Sequence, residues 1–184
     1  MDELALRNEL RELGIRMVNE NLVQGTWGNA SLRIDDRYML ATPSGLDYLS
    51  LKPEDMVVVD IYTLEYPAGG LKPTSEKGIH AGIYRARPEI KCVLHSHPLN
   101  SSVYAAAHAV LPLKTEEHKK LFNNDKIALA EYGLPSTDKL VKNTLAALKE
   151  ANAVFMKNHG VTCCGPSGEE ALNTLRVLEK LAEL

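Results

Sequence analysis

Apolar residues recur at helical spacing at the start of the chain. Leu6, Leu10, Leu13, Met17 and Leu22 lie about one or two turns apart, which predicts a single amphipathic helix ended by Gly25. The period then changes. Residues 31–34 and 38–41 read as short strands joined by a tight Asp35-Asp36 turn, and the β-branched run 56–61 reads as a buried strand. Pro73-Thr74-Ser75 leads into a helix over about 76–86, closed by Arg87-Pro88. An apolar run over 90–94 predicts a strand that carries His95-Ser96-His97, with Pro98 directly behind it. A helix follows to about His108, then an irregular stretch with Leu111-Pro112 and the charged residues 116–120. Ser136 or Thr137 caps a helix reaching Glu150. Residues 153–157 and 161–164 pair as strands around Asn158-His159-Gly160, and Ser167 with Glu170 forms a capping box for a last helix running nearly to Leu184.

Several of these strands are joined by turns too short for a crossover helix. The fold class expected is therefore α/β, layered around a substantially antiparallel sheet rather than a doubly wound parallel one. No repeat or long linker divides the sequence, so residues 1–184 read as one domain.

Composition narrows the function classes. With 45% hydrophobic and 24% charged residues, the chain has the make-up of an ordinary globular protein with a core. Its net charge of -3 is spread along the sequence, which gives no electrostatic reason to expect nucleic acid or an anionic membrane as partner. Met1-Asp2-Glu3 lacks the basic and apolar regions of a signal peptide, and no apolar run approaches membrane-spanning length. The three cysteines, two of them adjacent, do not make a disulfide framework, so a reducing cytoplasm is expected.

The chemistry concentrates at few positions. Side chains at i and i+2 share one face of a strand, so His95 and His97 can reach one point. Two convergent neutral imidazoles suit a divalent transition metal, zinc first, although paired histidines on solvated strands are the plainer alternative. His159 reads alone as a solvated hairpin tip. Together with His95 and His97 it completes a three-histidine set with an open fourth position, the arrangement of a catalytic zinc. Glu76 is either an acid favoured at a helix N-terminus by the dipole or a carboxylate that ligates the metal or shuttles a proton beside it. Spacing leaves both open. Gly28-Asn29, Ser44-Gly45 and Thr74-Ser75 offer hydroxyls and free N–H groups for an anion, or are simply turns. No Walker-type or G-x-G-x-x-G loop is present, so nucleotide binding of those kinds is unsupported. His80 reads as a packed histidine or one supporting the site from behind, and His108, His118 and Lys119-Lys120 as surface. Cys92, Cys163 and Cys164 read as core, and Trp27 as a residue that lines a pocket or packs.

Five motifs occur in one order: Gly25-Thr26-Trp27-Gly28-Asn29-Ala30-Ser31, Thr42-Pro43-Ser44-Gly45, Pro73-Thr74-Ser75-Glu76, His95-Ser96-His97-Pro98 and Asn158-His159-Gly160. From about residue 8 to the end, the series resembles the class II aldolase/adducin family. That resemblance implies a three-layer α/β/α sandwich with a central, largely antiparallel sheet. It further implies zinc on His95, His97 and His159, with manganese or cobalt also possible. Glu76 would act both as a group approaching the metal and as acid/base. Gly28, Asn29, Ser44, Gly45, Thr74 and Ser75 would grip a substrate phosphate. The reaction implied is reversible cleavage of a ketose 1-phosphate to dihydroxyacetone phosphate and an aldehyde through a metal-stabilised enediolate, in a cyclic homotetramer.

One segment departs from the aldolase pattern. Leu111-Pro112 is followed by Lys114-Thr115-Glu116-Glu117-His118 without the expected tyrosine, and the sequence ends at Leu184 where the aldolases carry a further tail. Family members that dehydrate methylthioribulose 1-phosphate place a catalytic glutamate here, which makes Glu117 (or Glu116) a candidate; both could equally be exposed surface. Dehydration, epimerisation or decarboxylation of a sugar phosphate is thus the alternative reading. A non-catalytic interaction module like adducin is a third, opposed by the four retained site residues.

Overall fold

The structure, a computed structural model, describes residues 2–183. Met1 and Leu184, on which the readings of the chain's two ends bear, lie outside them. Helix α1 (Glu3–Asn19) is capped by the Asp2 carboxylate, which accepts from the Leu4 N–H, and it buries Leu6, Leu10, Leu13 and Met17. It stops sooner than the apolar spacing predicts. Asn21 turns left-handed at φ 56°, and the N–H groups of Asn21 and Leu22 return to the carbonyls of Val18 and Met17. Leu22 is buried beyond this C-terminal motif, and Gly25 plays no part in it.

The chain then forms strands β1 (Gly28–Arg33), β2 (Tyr38–Ala41) and β3 (Val57–Asp60), helix α2 (Lys77–Ala86), strand β4 (Cys92–Ser96) and helix α3 (Leu99–Ala106). Next come strand β5 (Leu111–Pro112), helix α4 (Glu116–Phe122), strand β6 (Lys126–Ala130), helix α5 (Asp138–Leu148), strands β7 (Ala153–Met156) and β8 (Gly160–Gly165), and helix α6 (Gly168–Leu181). The irregular stretch expected after residue 110 therefore contains a helix and two strands. They are too short for periodicity to reveal. Thr115 caps α4, and Asn123, left-handed at φ 49°, ends it one residue after Phe122.

Eight strands lie in the order β3-β2-β1-β4-β8-β7-β6-β5. Every neighbouring pair is antiparallel except β6–β7, whose parallel pairing is spanned by α5. This matches the largely antiparallel mixed sheet expected. Both faces are covered. On one side α1, α3, α4 and α6 enclose Leu10, Leu94, Phe155 and Cys163; on the other α2 and α5 enclose Val93, Val154, Ile83 and Cys164. Central strands covered on both faces need apolar residues at successive positions, which is why β4, β7 and β8 read as unbroken runs. The three cysteines are core, as the sequence suggests.

Candidate active site

His95 occupies the last turn of pleat in β4, beside Asn29 of β1 and Thr162 of β8. His97 lies just past the strand end rather than on it. Even so, the Nε2 atoms of the two rings are 2.9 Å apart. The His95 Nδ1 lies 3.0 Å from the Val161 carbonyl, which can only accept, so the proton sits on Nδ1 and the Nε2 lone pair is free. His159 stands in the turn between β7 and β8, where Asn158 is left-handed at φ 55° and donates its N–H to the Ala105 carbonyl. Gly160 lets two strands and a ring close up: a Cβ there would meet the Ser96 carbonyl at 2.5 Å and the His97 ring at 2.8 Å.

Glu76 precedes α2 as its N-cap, yet its side chain makes no capping bond. It turns inward instead, with Oε1 3.1 Å from His159 Nε2 and Oε2 3.0 Å from His95 Nε2. A plain dipole-favoured acid would face solvent, and this one is only 6% exposed. Burial opposes its ionisation, but His95, His159 and the Asn29 amide outweigh that and hold its pKa down to about 2. Burial pushes His95 down to about 4 and lowers His97 as well. At neutral pH the cluster thus contains a carboxylate beside neutral imidazole at His95.

The donor set fits a divalent cation. The three rings meet edge to face, with centroids 4.8 to 5.0 Å apart, and one nitrogen from each lies within 4.8 Å of the others. A carboxylate oxygen and converging lone pairs repel one another unless a positive charge lies between them. Imidazole and carboxylate ligands suit zinc, and manganese or cobalt can use the same donors.

A cavity of about 210 Å³ opens beside this cluster. It is lined by Gly28, Asn29, Ser44, Gly45, Thr74 and Ser75, all six positions expected to grip an anion. The fold explains their meeting. A bridge between Pro43 and Pro73 sets two loops side by side, with the Ser44 N–H on the Lys72 carbonyl and the Thr74 N–H on the Thr42 carbonyl. Gly45 has φ +73°, a conformation that glycine adopts freely. Among the described residues no lysine or arginine lines the cavity, so an anion there meets neutral donors. Thr26, Pro43 and Pro135 also line it and were missed from sequence; Pro135 arrives from the loop before α5, which only the folded topology places here. Trp27 lines the cavity while staying 69% exposed.

Glu117 is not brought to this cluster within the chain. It is exposed on α4 and borders another cavity, with Cys164 and Gly165, at the far end of β8 from Gly160. Five residue-to-residue rises along the strand separate those ends, roughly 16 Å. Glu116 pairs with Lys119 at 2.7 Å. His108, exposed as expected, holds the Asn158 side chain at 2.8 Å.

His80 is wholly buried behind the site. Burial pushes its pKa down to about 3. Unfolded, the ring protonates near 6.5, so between those values the unfolded state binds more protons and stability falls as pH drops. The slope from this group alone reaches about 1.4 kcal/mol per pH unit. Urea unfolding of metal-free protein at pH 7.5 and pH 4.5 should show that loss, and His80→Gln should shrink it. An unchanged difference in the variant would assign the acid sensitivity to other groups.

A family model described as "Class II Aldolase and Adducin N-terminal domain" matches residues 8–184. An L-fuculose phosphate aldolase from Methanocaldococcus jannaschii is 32% identical over 169 residues, covering 92% of this chain and 89% of that protein. A methylthioribulose-1-phosphate dehydratase from Pectobacterium atrosepticum is 34% identical over 169 residues, covering 85% and 81%. Among solved structures, an L-fuculose 1-phosphate aldolase superposes with a TM-score of 0.90 at 29% identity, covering 97% of this chain and 83% of that one. No described helix is long and apolar enough to cross a membrane.

Proposed function

Since this chain belongs to the class II aldolase and adducin family, we propose that residues 1–184 act as one domain that reversibly cleaves a ketose 1-phosphate to dihydroxyacetone phosphate and an aldehyde. Substrates of the fuculose, ribulose or 5-deoxyribulose type fit the reading. The observation that carries it is the placement of Glu76, whose two oxygens each lie about 3 Å from a different imidazole at the edge of an anion-suited cavity. His95, His97 and His159 would hold the metal, with Glu76 close enough to ligate it before substrate arrives. The metal, when bound, supplies Lewis-acid polarisation of a carbonyl and neutralises negative charge that develops next to it.

The chain's own residues do the rest. The Asn29 amide, the hydroxyls of Ser44, Thr74 and Ser75 and the N–H groups of Gly45 and Ser75 hold the phosphate and fix the ketose in register with the metal ligands. Glu76, ionised and already partly desolvated, takes or returns the proton at the dihydroxyacetone phosphate carbon according to direction. The absence of a cation from the phosphate cradle makes release of a charged product less costly than an arginine clamp would. A second group must take the proton from the C4 hydroxyl during cleavage.

The dehydratase reading is kept open by the likeness to a methylthioribulose-1-phosphate dehydratase. It would need Glu117 to reach a metal cluster across an interface between copies, in keeping with the homotetramer the family resemblance implies. The intact cluster of histidines and Glu76 weighs against a non-catalytic interaction module. We place the enzyme in the cytoplasm as part of this proposal.

The test is a product assay on zinc-loaded protein with a panel of ketose 1-phosphates. Dihydroxyacetone phosphate formed by loaded but not metal-stripped protein is the expected result. Consumption of substrate without that product would turn the proposal to dehydration, epimerisation or decarboxylation, and no consumption by any loaded form would overturn it.

A further inference from the structure

The Asn29 side chain is the outer end of a buried hydrogen-bond chain that runs from the cavity into the layer beneath α2. Asn29 and Ser31 sit two apart on β1 and share a face, and His80 and Tyr84 sit four apart on α2 and share a face, so strand and helix meet as two pairs. His80 Nε2 lies 2.6 Å from Asn29 Oδ1 and Nδ1 lies 2.7 Å from Ser31 Oγ. The Tyr84 hydroxyl is 2.8 Å from Ser31 Oγ and donates to the Ser31 carbonyl at 2.9 Å. Ser31 and His80 are fully buried and Tyr84 is 1% exposed, so no solvent completes these bonds.

Hydrogens fit this chain in two self-consistent ways. The Ser31 carbonyl only accepts, so the Tyr84 proton goes there in both. In the first arrangement the Ser31 hydroxyl donates to His80 Nδ1, the His80 Nε2–H donates to Asn29 Oδ1, and the Asn29 NH2 faces the cavity. In the second the Ser31 hydroxyl donates to Tyr84, His80 Nδ1–H donates to Ser31, and a bare Nε2 accepts from a rotated Asn29 amide. That rotation would turn the Asn29 carbonyl toward the cavity. What waits on the cavity side decides between them. Glu76 lines the same cavity as Asn29, and a carboxylate, like a phosphoryl oxygen, can only accept.

We propose that His80 is a positioning residue: held by Ser31 as its Nε2–H tautomer, it locks the Asn29 amide with its NH2 aimed at Glu76 and at the anionic oxygen of the substrate. The substrate half of this statement rests on the function proposed above, whereas the tautomer and the amide orientation do not. A residue present only to fill space would be apolar, because burying an imidazole costs desolvation that its two bonds merely offset. Here both nitrogens are committed, and the ring has one orientation left.

Nitrogen-15 NMR of the unaltered protein reads the tautomer directly. Proton on Nε2, with the Asn29 side-chain amide shifting as inorganic phosphate is titrated in, is the expected result; proton on Nδ1 would overturn the proposal whether or not any variant folds. His80→Met keeps the volume and removes the donor, while His80→Gln can place an amide N–H near the Nε2 position. His80→Met should weaken inorganic phosphate binding and lower kcat/KM by roughly 10–100-fold, mainly through KM, with zinc content retained, and His80→Gln should recover most of both. Equal phosphate binding in the two variants would overturn the positioning role. Failure of every ketose phosphate to react, with the Nε2–H tautomer and the phosphate response intact, would overturn the proposed reaction and leave the His80 assignment standing.

Discussion

Exchanging Glu76 for glutamine is expected to lower kcat by roughly 10²–10⁴-fold, the range that a positioned acid/base contributes. The substitution keeps side-chain volume and hydrogen-bonding reach, so the surrounding loops and α2 have little reason to move. What it removes is the negative charge and the ability to accept and return a proton. Those two losses separate in experiment. Zinc content of the variant should stay near that of the native protein, because His95, His97 and His159 remain. Exchange of the dihydroxyacetone phosphate carbon proton with deuterated solvent, followed by NMR, should collapse in step with cleavage. If zinc content fell instead, and excess zinc restored both exchange and cleavage, Glu76 would be a ligand and the proton would be moved by another group.

Gly160→Ala should be nearly as damaging, although it adds one methyl and touches no ligand chemically. That methyl has no free space. It would meet the Ser96 carbonyl at 2.5 Å, which is backbone inside the sheet, and the His97 ring at 2.8 Å. Moving the His97 ring relieves only the second contact; the first also strains the β4–β8 pairing between Ser96 and Val161, so ring and backbone both shift. Overpacking of this kind costs about 1–3 kcal/mol of stability. Displacing a ligand ring by about 1 Å also costs on the order of 10²-fold in activity. Zinc affinity by competition with a chelator, set against the urea midpoint, checks both parts. A variant with lowered stability but unaltered zinc affinity and kcat would show that the backbone gave way rather than His97.

The sequence revealed the layers better than it revealed the details of the site. Alternation and apolar runs placed β2, β3, β7, β8, α2, α5 and α6, because each is long enough or buried enough to leave a period. It did not reveal β6, whose residues 126–130 begin with a lysine and alternate weakly, or α4, which spans barely two turns. The end of α1 was misplaced because Leu22 continues the helical spacing, although it serves as the apolar stop of a left-handed turn at Asn21. Within the cavity, the histidines and the three polar pairs carried their own chemistry in their residue types. Pro135 carried none, and its position depends on a loop that only the β6–α5 connection brings across. Glu117 rests on the family resemblance alone, in a segment whose neighbours the sequence could not specify. Its place at the far end of β8 depends on where α4 packs. Strand spacing put His95 and His97 on one face, and although β4 ends at Ser96 the two rings do converge.

Strand β4 lies at the middle of the sheet, but its two neighbours come from opposite ends of the chain: β1 from the beginning and β8 from near the end. A ribosome releases β1 to β4 long before β8 exists. Until then the apolar edge of β4, with Cys92, Val93 and Leu94, has no partner, and such an edge invites pairing with another nascent chain. His159 sits at the threshold of β8, so the three-histidine cluster closes only when that late strand has been inserted. Metal uptake would therefore report completion of the sheet. A cation bridging β4 to the turn before β8 would also tie together two parts of the chain that the unfolded state keeps far apart, resisting the withdrawal of β8 from β4.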